Sequence, residues 1–96
     1  MNDKIRLLNS TIGAWEPIII QAADTFSDDS DKSMQYVIAE VLPKKIIDEM
    51  KIEDKDDSLY CSNEAFEMVC NKVFQVCELN YPKFAYNAQY LLDNGY

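Results

Sequence analysis

Asp29, Asp31, Ser33 and Glu40 stand at positions 1, 3, 5 and 12 of the register in which oxygen ligands wrap a calcium ion. That loop turns sharply on a glycine at its sixth position; here the sixth residue is Met34, which opens an apolar helical stripe. A second start at Asp54, with Asp56 and Ser58, has Ala65 where the bidentate carboxylate belongs. Neither segment predicts a metal site, and nothing in the chain calls for a cofactor. Histidine is absent, so a nucleophile–histidine triad has no base, and there is no glycine-rich phosphate loop or HExxH motif. The three cysteines, Cys61, Cys70 and Cys77, are odd in number and lack CxxC spacing, which predicts reduced thiols rather than a disulfide or zinc site. Cys70 and Cys77 share a helix face with Phe66 and Val73, where a thiol packs as a small hydrophobe. Carboxylate catalysis would need a pair such as Asp28 and Asp57 meeting across a cleft that desolvates them. The acids cluster instead in polar segments, and no catalytic residue is expected.

The chain has seventeen acidic and nine basic residues, a net charge of -8 on 96 residues. Phosphate backbones are bound by clustered Lys and Arg, whereas here the basic residues are single apart from Lys44-Lys45, so direct nucleic-acid binding is not expected. The inverse arrangement is more informative: a surface of carboxylates can occupy the site a basic protein keeps for nucleic acid and is drawn to it by charge. Two acidic clusters offer such a surface, Asp24, Asp28, Asp29 and Asp31 in one and Glu53, Asp54, Asp56 and Asp57 in the other. Tyr86 and Tyr90 lie one helical turn apart, away from the Phe84, Ala88 and Leu91 side, and Asp93 continues their face. Tyrosines beside acids serve well as protein-contact anchors. The expected partner-binding residues are therefore Asp24, Asp28, Asp29, Asp31, Asp54, Asp56, Asp57, Tyr86, Tyr90 and Asp93. Met68 falls beside Glu64 and Gln75 on the outer face of its helix.

These residues need a frame, and the periodicity predicts a helical one. Two glycines, three prolines and 48% apolar residues describe an ordered all-α domain of five to six short helices spanning 1–96. The first helix should start at Asn2 or Asp3, carry Ile5, Leu8 and Ile12, and stop at Gly13. Trp15-Glu16-Pro17 opens a second, with Ile18, Ile19, Ala22, Ala23 and Phe26 following. The polar segment 27–33 caps a third with Met34, Val37, Ile38, Val41 and Leu42. Beyond Pro43 the stripe of Ile46, Ile47 and Met50 points more than a quarter turn away, so a break or sharp kink at Pro43 is expected. Ser62 or Asn63 caps a helix with Phe66, Val69, Cys70, Val73, Phe74 and Cys77 inward. Pro82 opens the last, with Phe84, Ala85, Ala88, Leu91 and Leu92 inward and Asn94-Gly95 as its stop.

Asp3, Asn9, Ser10 and Glu16 interrupt any apolar run near Lys4 and Arg6, so neither a signal peptide nor a membrane span is expected, and the predicted location is the cytoplasm. A small, acidic, helical chain without catalytic apparatus is similar in general profile to bacterial toxin immunity proteins, although no motif carries a family resemblance. The expected function is inhibition of a basic partner by steric and electrostatic blocking, as an immunity protein or antitoxin neutralising a nuclease-type toxin. The alternatives are an acidic adaptor or chaperone for a secreted effector or assembly subunit, or a nucleic-acid-mimicking inhibitor.

Overall fold

The local signals that start and stop helices act where expected along most of the chain. The computed structural model describes residues 3–96, in the order α1 (Asp3–Ser10), a 3-10 turn (Ile12–Ala14), α2 (Glu16–Phe26), α3 (Asp31–Tyr36), a π-helical segment (Val37–Val41), α4 (Leu42–Glu49), α5 (Asn63–Cys77) and α6 (Pro82–Asn94). No strand occurs among the described residues, and the domain is all-α. A start of α1 at Asn2 lies outside the described residues. Gly13 falls within the 3-10 turn, three residues beyond the end of α1. Ser30 Oγ accepts from Ser33 N at 3.1 Å and Ser62 Oγ from Ala65 N at 3.2 Å, so both serines satisfy an amide that a helix N-terminus leaves open. Pro17 and Pro82 sit in the first turns of α2 and α6, where a missing N–H removes no helical bond. Gly95 ends α6 at φ 79°, a conformation that L side chains rarely adopt, and its N–H donates to Leu91 O at 2.8 Å.

The expected break at Pro43 is not there. Helical structure is continuous over 31–49, and Leu42 has helical φ −63° and ψ −47°. The π segment resolves the conflict. Leu42 N–H donates to Val37 O, five residues back, so one extra residue is wound into the turn just before the proline. In a regular helix the Pro43 ring would press on the Ala39 carbonyl; the wider turn relieves that clash. The same extra residue turns everything after it back by about 100°. Leu42 and Ile46 thereby join Met34 and Ile38 in the core, all four at 0% exposure, while Val41, expected inward, is 39% exposed.

One apolar cluster gathers side chains from every helix. Trp15, at the mouth of α2, is completely buried, and its Nε1 donates to Thr11 Oγ1 at 2.8 Å, so the largest core side chain leaves no polar atom unpaired. The α5–α6 pair forms the most extensive interhelical packing. Val69, Cys70, Val73 and Cys77 of α5 meet Phe84, Ala88 and Leu91 of α6 within the same cluster, with Phe66 and Phe74 half-buried at its margin. Met68, expected on the outer face, is half-buried against the core edge. No helix among the described residues is long and apolar enough to cross a membrane.

Candidate partner-binding surface

The first acidic cluster is held against α6 by a polar network. Asn87 is fully buried although it sits on a helix face otherwise made of Phe84, Ala88 and Leu91. Its Nδ2 donates to Asp31 Oδ1 at 3.1 Å and to Lys83 O at 2.9 Å, and its Oδ1 accepts from Gln35 Nε2 at 2.9 Å. A buried amide left unpaired would be destabilising, so this residue fixes the start of α3 onto α6 in one arrangement. Two further contacts extend the seam: Lys83 Nζ donates to Asp29 O at 3.2 Å, and Tyr81 OH donates to Asp24 Oδ1 at 3.5 Å. Partial burial and the Asp24 carboxylate raise the Tyr81 phenol above its ordinary pKa, which keeps it a donor. Asp29 Oδ2 accepts from Ser33 Oγ at 3.0 Å, within what is now helix and turn rather than a calcium loop. Asp28 is exposed beside it.

The tyrosines stand next to this seam. Tyr86 is 59% and Tyr90 40% exposed. At about 100° per residue, Tyr90 projects about 60° round α6 from Asn87, and Tyr86 about 100° round. Asp93 falls almost in line with Tyr86 two turns further on and accepts from Gln89 Nε2 at 3.0 Å. Asp24 and Asp29 thus meet the start of α6 at Tyr81 and Lys83, Asp31 meets Asn87 about one turn on, and Tyr86 and Tyr90 are exposed on the same helix. Two cations stand among these acids, Lys83 in the seam itself and Lys32 next to Asp31. No family model, curated protein or solved structure matches this chain.

The second acidic cluster is placed by different contacts. The Asp54 side chain is 6% exposed; it accepts from the backbone N–H groups of Leu59 and Tyr60 at 2.9 Å each and lies 3.7 Å from Lys4 Nζ. It is an internal staple for the 50–62 loop, and its charge is turned inward. Asp56 accepts from Ser58 and lies 3.8 Å from Lys4; the Ser58 hydrogen bonds hold its carboxyl below the usual carboxylate range. Glu53 pairs with Lys55 at 3.0 Å on the surface. Asp57 is exposed at φ 57°, a backbone region that Asp and Asn adopt more readily than most residues. The contacts of this cluster therefore run to α1 and to its own loop, whereas those of the first run to α6.

Burial pushes the Cys70 thiol up to about 12 and the Cys77 thiol up to about 11. Both are packing residues, as their spacing predicts, while Cys61 is exposed. Asn87 and Lys83 are not among the residues expected from the sequence. Asn87 carried a signal, since 84, 87, 88 and 91 make one three-and-four-spaced stripe with a polar member. Lys83 carried none, because its acceptor lies 54 residues earlier in the chain.

Proposed function

We propose that this chain is a stoichiometric, non-catalytic binding protein of the cytoplasm that blocks a basic partner. The reading is supported by the acidic segment Asp24–Asp31, held against the N-terminal half of α6, and by Tyr86 and Tyr90, exposed on that helix. Exposed aromatic rings supply large contact area at small entropic loss, and the flanking carboxylates steer a cationic surface toward them. The net charge of -8 extends that attraction beyond the contact itself. Among basic partners whose neutralisation calls for a small dedicated protein, a nuclease-type toxin fits best: its nucleic-acid groove is cationic, and an acidic plug competes for it. An immunity protein or antitoxin is accordingly the class we favour. Asp54 has no contact role in this reading, since its carboxylate is engaged within its own loop.

The reading is tested by capturing the partner from the host cell, identifying it, and adding the pure chain to it in equimolar amount. A basic partner that loses its activity is expected, with an association rate falling by about tenfold or more between 0.01 M and 0.15 M salt. Tyr86→Ala with Tyr90→Ala should raise Kd by about tenfold to a hundredfold, mainly through faster dissociation. An acidic or neutral partner, or an affinity indifferent to salt and to both tyrosines, would end the proposal and leave the adaptor or chaperone reading in its place.

A further inference from the structure

Two adjoining hollows separate the 31–49 helical run from the 50–62 loop and share Glu40 and Tyr60 as a common wall. The first, of about 280 Å³, is lined by the aromatic side chains of Tyr60, Phe66 and Tyr96, by Glu40, and by Asn63 and Cys61. Among the described residues no Lys or Arg lines it. Its volume lies just under the range of about 300–1,000 Å³ usual for small-molecule sites, so it suits a single side chain better than a cofactor. Glu40 reaches it from the π segment, where the extra residue changes the direction of every side chain that follows. Tyr60 OH donates to Glu40 Oε2 at 3.2 Å, which fixes the carboxylate and leaves its other oxygen to a ligand. The other side of this wall already carries a cation. Lys44, which lines the second hollow and not the first, places its Nζ 5.8 Å from the centre of the Tyr60 ring.

We infer that the first hollow receives one arginine side chain of the basic partner, its guanidinium stacked on the Tyr60 and Tyr96 rings and hydrogen-bonded to Glu40. This rests on the proposed reading of the partner as basic and adds a specific anchor to it. Charge complementarity favours a cation, since the described lining of this hollow holds the Glu40 carboxylate and no Lys or Arg, Lys44 and Lys45 lying on the second hollow's side of the shared wall. The combination of flat rings and a carboxylate selects the planar, forked guanidinium over the rounder ammonium of lysine. The N-terminus of α5 opens beside the hollow and by itself favours an anion, but Ser62 Oγ already accepts from Ala65 N and Glu64 occupies the first turn.

The test titrates the full chain with N-acetylarginine amide, observed through its backbone amide NMR signals, with no partner present. Saturable shifts at Ala39, Glu40, Cys61 and Phe66 are expected, with a Kd of about 1–10 mM. N-acetylcitrulline amide, neutral and nearly isosteric, should bind about tenfold more weakly, and so should arginine amide to the Glu40→Gln variant, whose amide oxygen still accepts from Tyr60. Tyr96→Ala, at an exposed position where folding is not at stake, should weaken binding about threefold, whereas Leu79→Ala on the far turn should leave it unchanged. Equal binding of the citrulline compound overturns the inference. So do shifts confined to Asp28–Asp31, or saturation of the hollow by inorganic phosphate in place of arginine. Such a failure leaves the basic-partner reading standing on its salt dependence, while failure of that reading with arginine still bound here would keep the pocket and remove its proposed owner.

Discussion

At Asp54 a nearly buried carboxylate accepts two backbone N–H groups, and the residue is worth more to the loop than to any partner. Asp54→Ala strands both amides and should lower stability by about 2–4 kcal/mol, read as a shift of the urea midpoint at unchanged m-value. Asp57→Asn, exposed and already in a conformation asparagine tolerates, should change it by less than about 0.5 kcal/mol. The same measurement thus separates two members of one acidic cluster that look alike in the sequence. The thiols divide in the same way. A thiol reagent at pH 8 should modify Cys61 alone in the folded protein and all three cysteines in denaturant. The sign of the pH dependence follows from Cys70 and Cys77, whose folded pKa values, about 12 and about 11, exceed the ordinary 9.0. Below pH 9 both states hold the protons and nothing changes. Above it the unfolded chain loses them first, so each thiol should lower stability by up to about 1.4 kcal/mol per pH unit between about pH 9 and 11. Cys77→Ala should flatten that decline in a series of denaturation curves from pH 8 to 11.

The π segment is the element on which the middle of the fold depends. Its extra residue brings two out-of-phase apolar stripes onto one core and accommodates the Pro43 ring at once. Deleting Val41 should therefore convert the segment to a regular helix and keep Leu42 and Ile46 inward, but with Pro43 now pressing on a carbonyl, at a loss of about 3 kcal/mol. Deleting Val41 together with Pro43→Ala should recover most of that loss, whereas Pro43→Ala alone should change stability little. Thermal melts followed by circular dichroism distinguish these outcomes; equal loss in the single deletion and the combined variant would mean the proline is not the reason for the bulge. The helix starts were legible because capping is local: Ser30 and Ser62 act on amides three residues away. A break at Pro43 follows only if a regular 100° step runs through the segment, and the π turn replaces that step. The cue was present in the phase mismatch itself, which either a break or a bulge resolves.

The whole molecule is compact, with a radius of gyration of 12.4 Å against about 12.5 Å expected for a folded chain of this length. Seventeen acids against nine bases on so small a body repel one another. Among the described residues the ion pairs join Lys4 to Asp54 and Asp56 and Lys55 to Glu53, and they relieve this only locally. Raising salt from 0.01 M to 0.15 M shortens the screening length from about 30 Å to about 8 Å, and Tm should rise by about 2–5 °C in a calorimetric scan. A fall in Tm would mean that attractive pairs, rather than self-repulsion, dominate the electrostatics.

Composition and helical periodicity by themselves determined an all-α protein with strong negative charge, buried Cys70 and Cys77, and helix starts near 30 and 62. Each of these depends on residues within a turn or two of one another, where spacing alone fixes the geometry. Tertiary structure decided what the charges do. It turned Asp54 inward, tied Asp24, Asp29 and Asp31 to Tyr81, Lys83 and Asn87 of the last helix and the turn before it, and gathered Glu40, Tyr60, Phe66 and Tyr96 around one hollow. The Glu40–Tyr60, Asp24–Tyr81 and Asp31–Asn87 contacts join residues 20, 57 and 56 positions apart, and only the packing of helices against a shared core brings them within reach.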